Sequence, residues 1–86
     1  MTINIGSKIR IWVSNNSPVE GYIYKIEEYE TMKVHHGFLI GKNKNGFFDI
    51  VERDGMVGGT VYWPPEQGRD YNASFIDEFK EIGEDE

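Results

Sequence analysis

The chain has 86 residues, a mass of 10.0 kDa and a formal net charge of −6, a size that suits one compact domain and leaves too little core to enclose a deep catalytic cleft. It contains no cysteine, which excludes disulfide staples, thiolate nucleophiles and Cys-based zinc sites. Hydrophobic residues at 38%, with five Tyr, five Phe and two Trp, place it among globular rather than disordered chains.

In chain order, Met1 to Gly6 shows no basic stretch leading into an apolar run, and no window approaches the roughly 20 apolar residues that span a bilayer. The expected location is the cytoplasm. From Lys8 to Val13 apolar residues alternate strictly, with Ile9, Ile11 and Val13 on one face and Lys8, Arg10 and Trp12 on the other, the signature of a half-buried strand. Ser14 to Pro18 carries turn chemistry at every position. A second strand runs from Val19 to about Tyr29, and the three-residue step between Ile23 and Ile26 predicts a bend or bulge. A third, about Lys33 to Lys42, puts Val34, His36, Phe38 and Ile40 on one face and ends at Asn43-Lys44-Asn45-Gly46. Asn-Gly predicts a tight type I′ hairpin, with Phe47 to Glu52 returning antiparallel. Asp54-Gly55 marks another turn, and Thr60 to Trp63 a short fifth strand stopped by Pro64-Pro65. Finally, Asn72 would cap a helix over about 73–82, in which Phe75, Ile76, Phe79 and Ile82 keep helical spacing and Gly83 closes the end. The acidic residues 84–86 follow as a tail.

The expectation is therefore a single mostly-β domain over 1–86, a small antiparallel barrel of about five strands with one C-terminal helix. The strip Gly6-Ser7-Lys8-Ile9-Arg10-Ile11-Trp12, followed by Val19-Glu20-Gly21-Tyr22-Ile23-Tyr24-Lys25-Ile26, resembles the opening hairpin of SH3-like barrels of the KOW or Tudor kind. In those, too, a glycine precedes a basic-apolar strand and a second glycine opens the next. The resemblance implies binding of nucleic acid, ribosomal or transcription components, or peptide tails.

Charge is unevenly spread. Residues 1–45 hold six bases against four acids, and residues 46–86 hold three against eleven, six of these within the last ten positions. Duplex phosphates would be repelled from that end. On the predicted helix, Asp77, Glu78 and Glu81 lie opposite the apolar stripe and Glu84 extends the row. This is either a solvated face or a carboxylate strip that imitates phosphates for a basic partner, as a phage or mobile-element inhibitor would.

If the first strand turns Ile9, Ile11 and Val13 inward, then Lys8, Arg10 and Trp12 face outward, and an inward Ile23 puts Tyr22 and Tyr24 outside beside them. Pairing the two strands would gather Trp12, Tyr22 and Tyr24 into one aromatic patch. Such a set serves as a protein-binding hot spot, as a platform that stacks unpaired bases while Lys8 and Arg10 answer phosphates, or, beneath the helix, as a second core layer. The loop Trp63-Pro64-Pro65 to Tyr71 reads either as a contact surface or as a crossover anchored by Trp63.

His35 and His36 are adjacent and point to opposite faces of a strand, so they cannot share a metal from that strand alone. Serines 7, 14, 17 and 74 lack a nucleophile elbow, Gly58-Gly59 matches no phosphate loop, and pairs such as Asp49 and Glu52 are expected among fifteen acids. With no reaction centre, metal site or cofactor signature, the expected function is non-enzymatic binding, first of another protein, with single-stranded RNA or DNA and homo-oligomerisation as the alternatives.

Overall fold

The computed structural model describes residues 3–66 and 68–83. Six antiparallel strands follow one another around a closed barrel: β1 (Lys8–Val13), β2 (Val19–Glu28), β3 (Met32–Leu39), β4 (Phe47–Arg53), β5 (Met56–Trp63) and β6 (Asn72–Ile82). Each pairs with its predecessor, and β6 returns to pair with β1. The alternation read in β1 is realised, with Ile9, Ile11 and Val13 buried and the residues between them partly exposed.

The expected C-terminal helix over 73–82 is not formed. That segment is β6, the sixth strand, and its apolar spacing has a local cause. Val13 pairs with Ile76 whereas Trp12 pairs with Glu78, so Asp77 is an extra residue in the ladder. One inserted residue turns a two-residue period into the three-residue step from Ile76 to Phe79, which reads as helical on sequence alone. The strand prevails because β1 and β5 would otherwise each present an open edge of unpaired N–H and C=O groups. Residues 72–75 pair with β5, and residues 76 and 78–82 pair with β1.

Two further expectations are corrected. Strand β3 stops at Leu39 rather than Lys42. A single turn of 3-10 helix at Gly41–Asn43 follows, so Asn45-Gly46 is not a two-residue hairpin turn. The tight turn lies at Asp54-Gly55, where φ is 51° and 78°, the pair of positive angles a type I′ turn requires. This turn lets β5 begin at Met56, four residues earlier than the sequence reading placed it.

The interior is built around Phe48, Ile9, Ile11, Ile23, Leu39, Ile50 and Val61, each 2% exposed or less. Gly21 and Gly37 flank the Phe48 ring, and a β carbon at Gly21 would stand 2.6 Å from its Cε1. Among the described residues His35 is the one buried polar side chain. Its Nδ1 donates to the Ile50 carbonyl at 3.1 Å. The barrel is uneven in height. Strand β2 beyond Ile23 pairs only with β3, and β5 before Thr60 pairs only with β4, so the β2–β5 hairpins project as a four-stranded sheet.

Candidate functional site: an aromatic band on the outer sheet

Pleating sends alternate residues outward, and the register decides which of them meet. Tyr22 pairs with Phe38, Phe38 with Phe47 and Phe47 with Tyr62, so one outward-facing row crosses β2, β3, β4 and β5 carrying an aromatic side chain on every strand. At about 4.8 Å between strands this row is about 14 Å wide. Phe47 stacks on Tyr62 with ring centroids 4.7 Å apart, and Tyr71 meets Phe47 edge-on at 5.1 Å. Tyr71 is held there by its hydroxyl, which donates to the Asn45 carbonyl at 3.3 Å. The register shifts between Ile23 and Lys25, as the slip in phase predicts, and Tyr24 at this bulge lies 6.1 Å from Phe38. Tyr24, Phe38 and Tyr71 are 52%, 43% and 46% exposed. Between Phe38, Phe47 and the Ile40–Gly46 connection the surface dips into an open groove of about 690 Å³, with Tyr24 at one end and Lys44 at its rim.

Below the band lies a charged belt. His36 lies between two carboxylates, with Nδ1 2.8 Å from Asp49 Oδ1 and Nε2 2.6 Å from Glu27 Oε1. The Tyr29 hydroxyl donates to the second Glu27 oxygen at 2.9 Å, and Lys25 approaches at 3.9 Å. The Tyr29 hydrogen bond first, and then that of His36, hold the Glu27 carboxyl below its ordinary range, while Glu27 pushes the Tyr29 phenol up. The His36 ring lies 6.4 Å from Tyr24, so this network borders one end of the band.

The structure separates the three rings the sequence reading had grouped. Tyr22 and Tyr24 join the band, but Trp12 pairs with Glu78 on β6 and lies beyond the last β1–β2 pair, Ile11 with Val19. Tyr22 sits opposite Lys8, four residues from Trp12 or about 13 Å along the strand. Lys8 and Arg10 both face Glu20, at 3.6 and 2.9 Å, so one of their two charges is answered internally.

Trp63 is half-buried against the core, its indole donating to Ser74 Oγ at 2.9 Å, with Pro64 partly buried and Pro65 exposed beside it. The helical acidic strip has no counterpart, because its helix is a strand. There Asp77 at the bulge accepts from Ser14 at 2.8 Å, Glu78 lies beside Trp12, and Glu81 accepts from Ser7 on the way to Lys8. Glu84 lies outside the described residues.

Phe38, Phe47, Tyr62 and Tyr71 are the residues sequence reasoning missed. The available signal was the shared outward parity of Tyr22 and Phe38, since Phe38 falls on the face with Val34 and His36. Among the described residues no group of three or more His, Asp or Glu is arranged to hold a metal ion, and no helix is long and apolar enough to cross a membrane. Comparison with family models, curated proteins and solved structures finds no match for this chain.

Proposed function

We propose that this protein is a non-enzymatic binding module that recognises another polypeptide through the aromatic band of β2–β5. The observation that carries the reading is the in-register row Tyr22, Phe38, Phe47 and Tyr62, extended by Tyr24 and Tyr71 and left open to water at both ends. Aromatic side chains supply large contact area at small entropy cost, and a contiguous exposed set on a rigid sheet is the kind of surface that partners cover. Glu20, shared between Lys8 and Arg10, offsets one of their two charges, which favours a polypeptide over a phosphate backbone. The test is affinity capture from a nuclease-treated extract of the source cells, comparing the wild-type chain with the Tyr24→Ser, Phe38→Ser double variant. A protein held by the first and lost by the folded second supports the reading. Equal capture by both overturns it.

A second reading rests on a separate observation, the β5 edge. Strand β6 covers only Thr60–Trp63, and Met56–Gly59 presents an uncharged edge on which Met56 is 76% exposed. Such an edge offers backbone groups to another strand, which supports self-association. Sedimentation equilibrium of wild type and Val57→Lys measures it, and a monomer at all concentrations removes it.

A further inference from the structure

We propose that the groove beside Phe38 and Phe47 takes an acidic segment of a partner polypeptide, anchored by an aromatic side chain. This deepens the polypeptide-binding reading and rests on it. The first argument is charge. The chain carries −6 overall, yet Thr31 to Phe48 contains three lysines and no Asp or Glu, and Lys44 is the only charged residue lining the groove. Among the described residues Lys8, Arg10, Lys25, Lys33, Arg53 and Arg69 each face a carboxylate, whereas Lys42, Lys44 and, on β6, Lys80 are exposed and make no ion pair; of these three Lys44 lines the groove and Lys42 lies two residues before it. An incoming carboxylate would thus meet at the groove an ammonium group that no internal acid already answers, in a protein of net charge −6.

The second argument is the shape and lining of the groove. It is lined by Tyr24, Phe38, Ile40 and Phe47 together with Lys44, an open apolar surface with one cation, which suits a side chain laid in from an extended segment. It suits a nucleic-acid strand less well. A strand needs a cation for successive phosphates and free ring faces for its bases. Here one lysine lines the groove, and Phe47 already has Tyr62 stacked on it and Tyr71 against its edge. Ring edges are the electropositive part of an aromatic side chain, so a carboxylate-rich segment is also the better neighbour for whichever edges the packing leaves outward.

The experiment is amide chemical-shift mapping on the full chain with three probes. These are a peptide of about twelve Glu and Asp residues with one central Trp, long enough at about 3.3 Å per residue to cross the band, the same peptide with Lys replacing its acids, and an oligothymidylate of equal length. The proposal predicts that the acidic peptide shifts Phe38, Lys44 and Phe47, that changing its Trp to Ala weakens it about tenfold, and that Lys42→Glu with Lys44→Glu reverses the preference toward the lysine peptide. Equal binding of the lysine peptide, tighter binding of the oligonucleotide, shifts confined to other strands, or no binding of the acidic peptide up to about 1 mM would each overturn it. A natural partner captured through Tyr24 and Phe38 but bearing a basic or neutral segment would overturn this inference alone and leave the polypeptide reading standing.

Discussion

Gly37 and Phe48 are cross-strand partners in the β3–β4 ladder, and the Phe48 ring fills the space a side chain at position 37 would occupy. A β carbon there would meet three ring carbons, with Cε2 at 2.8 Å the most distant of them. The fully buried ring can shift only by displacing other core side chains, because barrel interiors are close-packed. Gly37→Ala is therefore expected to cost about 2–3 kcal/mol in urea unfolding, and Gly37→Ala with Phe48→Leu to recover part of that loss. An unchanged midpoint in the single variant would contradict this packing.

The strand at the C-terminal end makes a prediction that a helix would not. A helix over 73–82 would bury Phe75 and Phe79 together on one stripe. In β6 Phe75 is 83% exposed, whereas Phe79 packs against the core opposite Ile11. Phe75→Ser should alter stability by less than about 0.5 kcal/mol, and Phe79→Ala should lower it by about 2 kcal/mol. Similar losses at both positions would argue for the helix.

The belt of Glu27, His36, Asp49 and Tyr29 predicts a pH response of known sign. The Glu27 carboxyl is depressed below its ordinary value of 4.5, chiefly by the Tyr29 hydroxyl and next by His36. Its contribution to stability is present above that value and is lost as pH falls through the lower folded value. Tyr29 is raised above 10.0 by the same contact, so its contribution is present below 10.0 and disappears as pH rises through the folded value. Carbon NMR titration should place the Glu27 midpoint below 4.5, and Tyr29→Phe should move it upward. A midpoint indifferent to that substitution would show that the hydroxyl does not set it.

Glu20 pairs with both Lys8 and Arg10 and competes with phosphates for them. Glu20→Gln removes that charge beside Tyr22, and binding of an oligothymidylate should then appear or strengthen, with a steeper salt dependence. Two new contacts to a single strand would steepen the slope of log affinity against log salt by about 1.4. Unaltered oligonucleotide binding across the salt series would show that Glu20 does not mask a nucleic-acid surface.

Much of the barrel was legible wherever local pattern and tertiary role agree. Ile9, Ile11 and Val13 alternate because one side of β1 is core and the other water, and the step from Ile23 to Ile26 marked its bulge without any coordinates. Asp77 misled because an inserted residue and a helical turn leave the same three-residue step. Only the need of β1 and β5 for a hydrogen-bonding neighbour separates them, and that need is not local. The band was half legible for the same reason. A two-residue turn at Asn45-Gly46 pairs Phe47 with Lys44, whereas the longer connection beginning at Ile40 pairs it with Phe38. That misplaced turn hid the row; the grouping of Trp12 with Tyr22 had a separate cause, the β1–β2 register, which sets Lys8 opposite Tyr22.

Recognition by the aromatic band is tested most directly by cross-saturation from a captured partner onto the deuterated chain, which reports the residues in contact without any substitution. The account predicts that the signals losing intensity are those of Tyr22, Tyr24, Phe38, Lys44, Phe47 and Tyr71. Losses confined to Trp12, Glu78 and Lys80, or to the Met56–Gly59 edge, would contradict it.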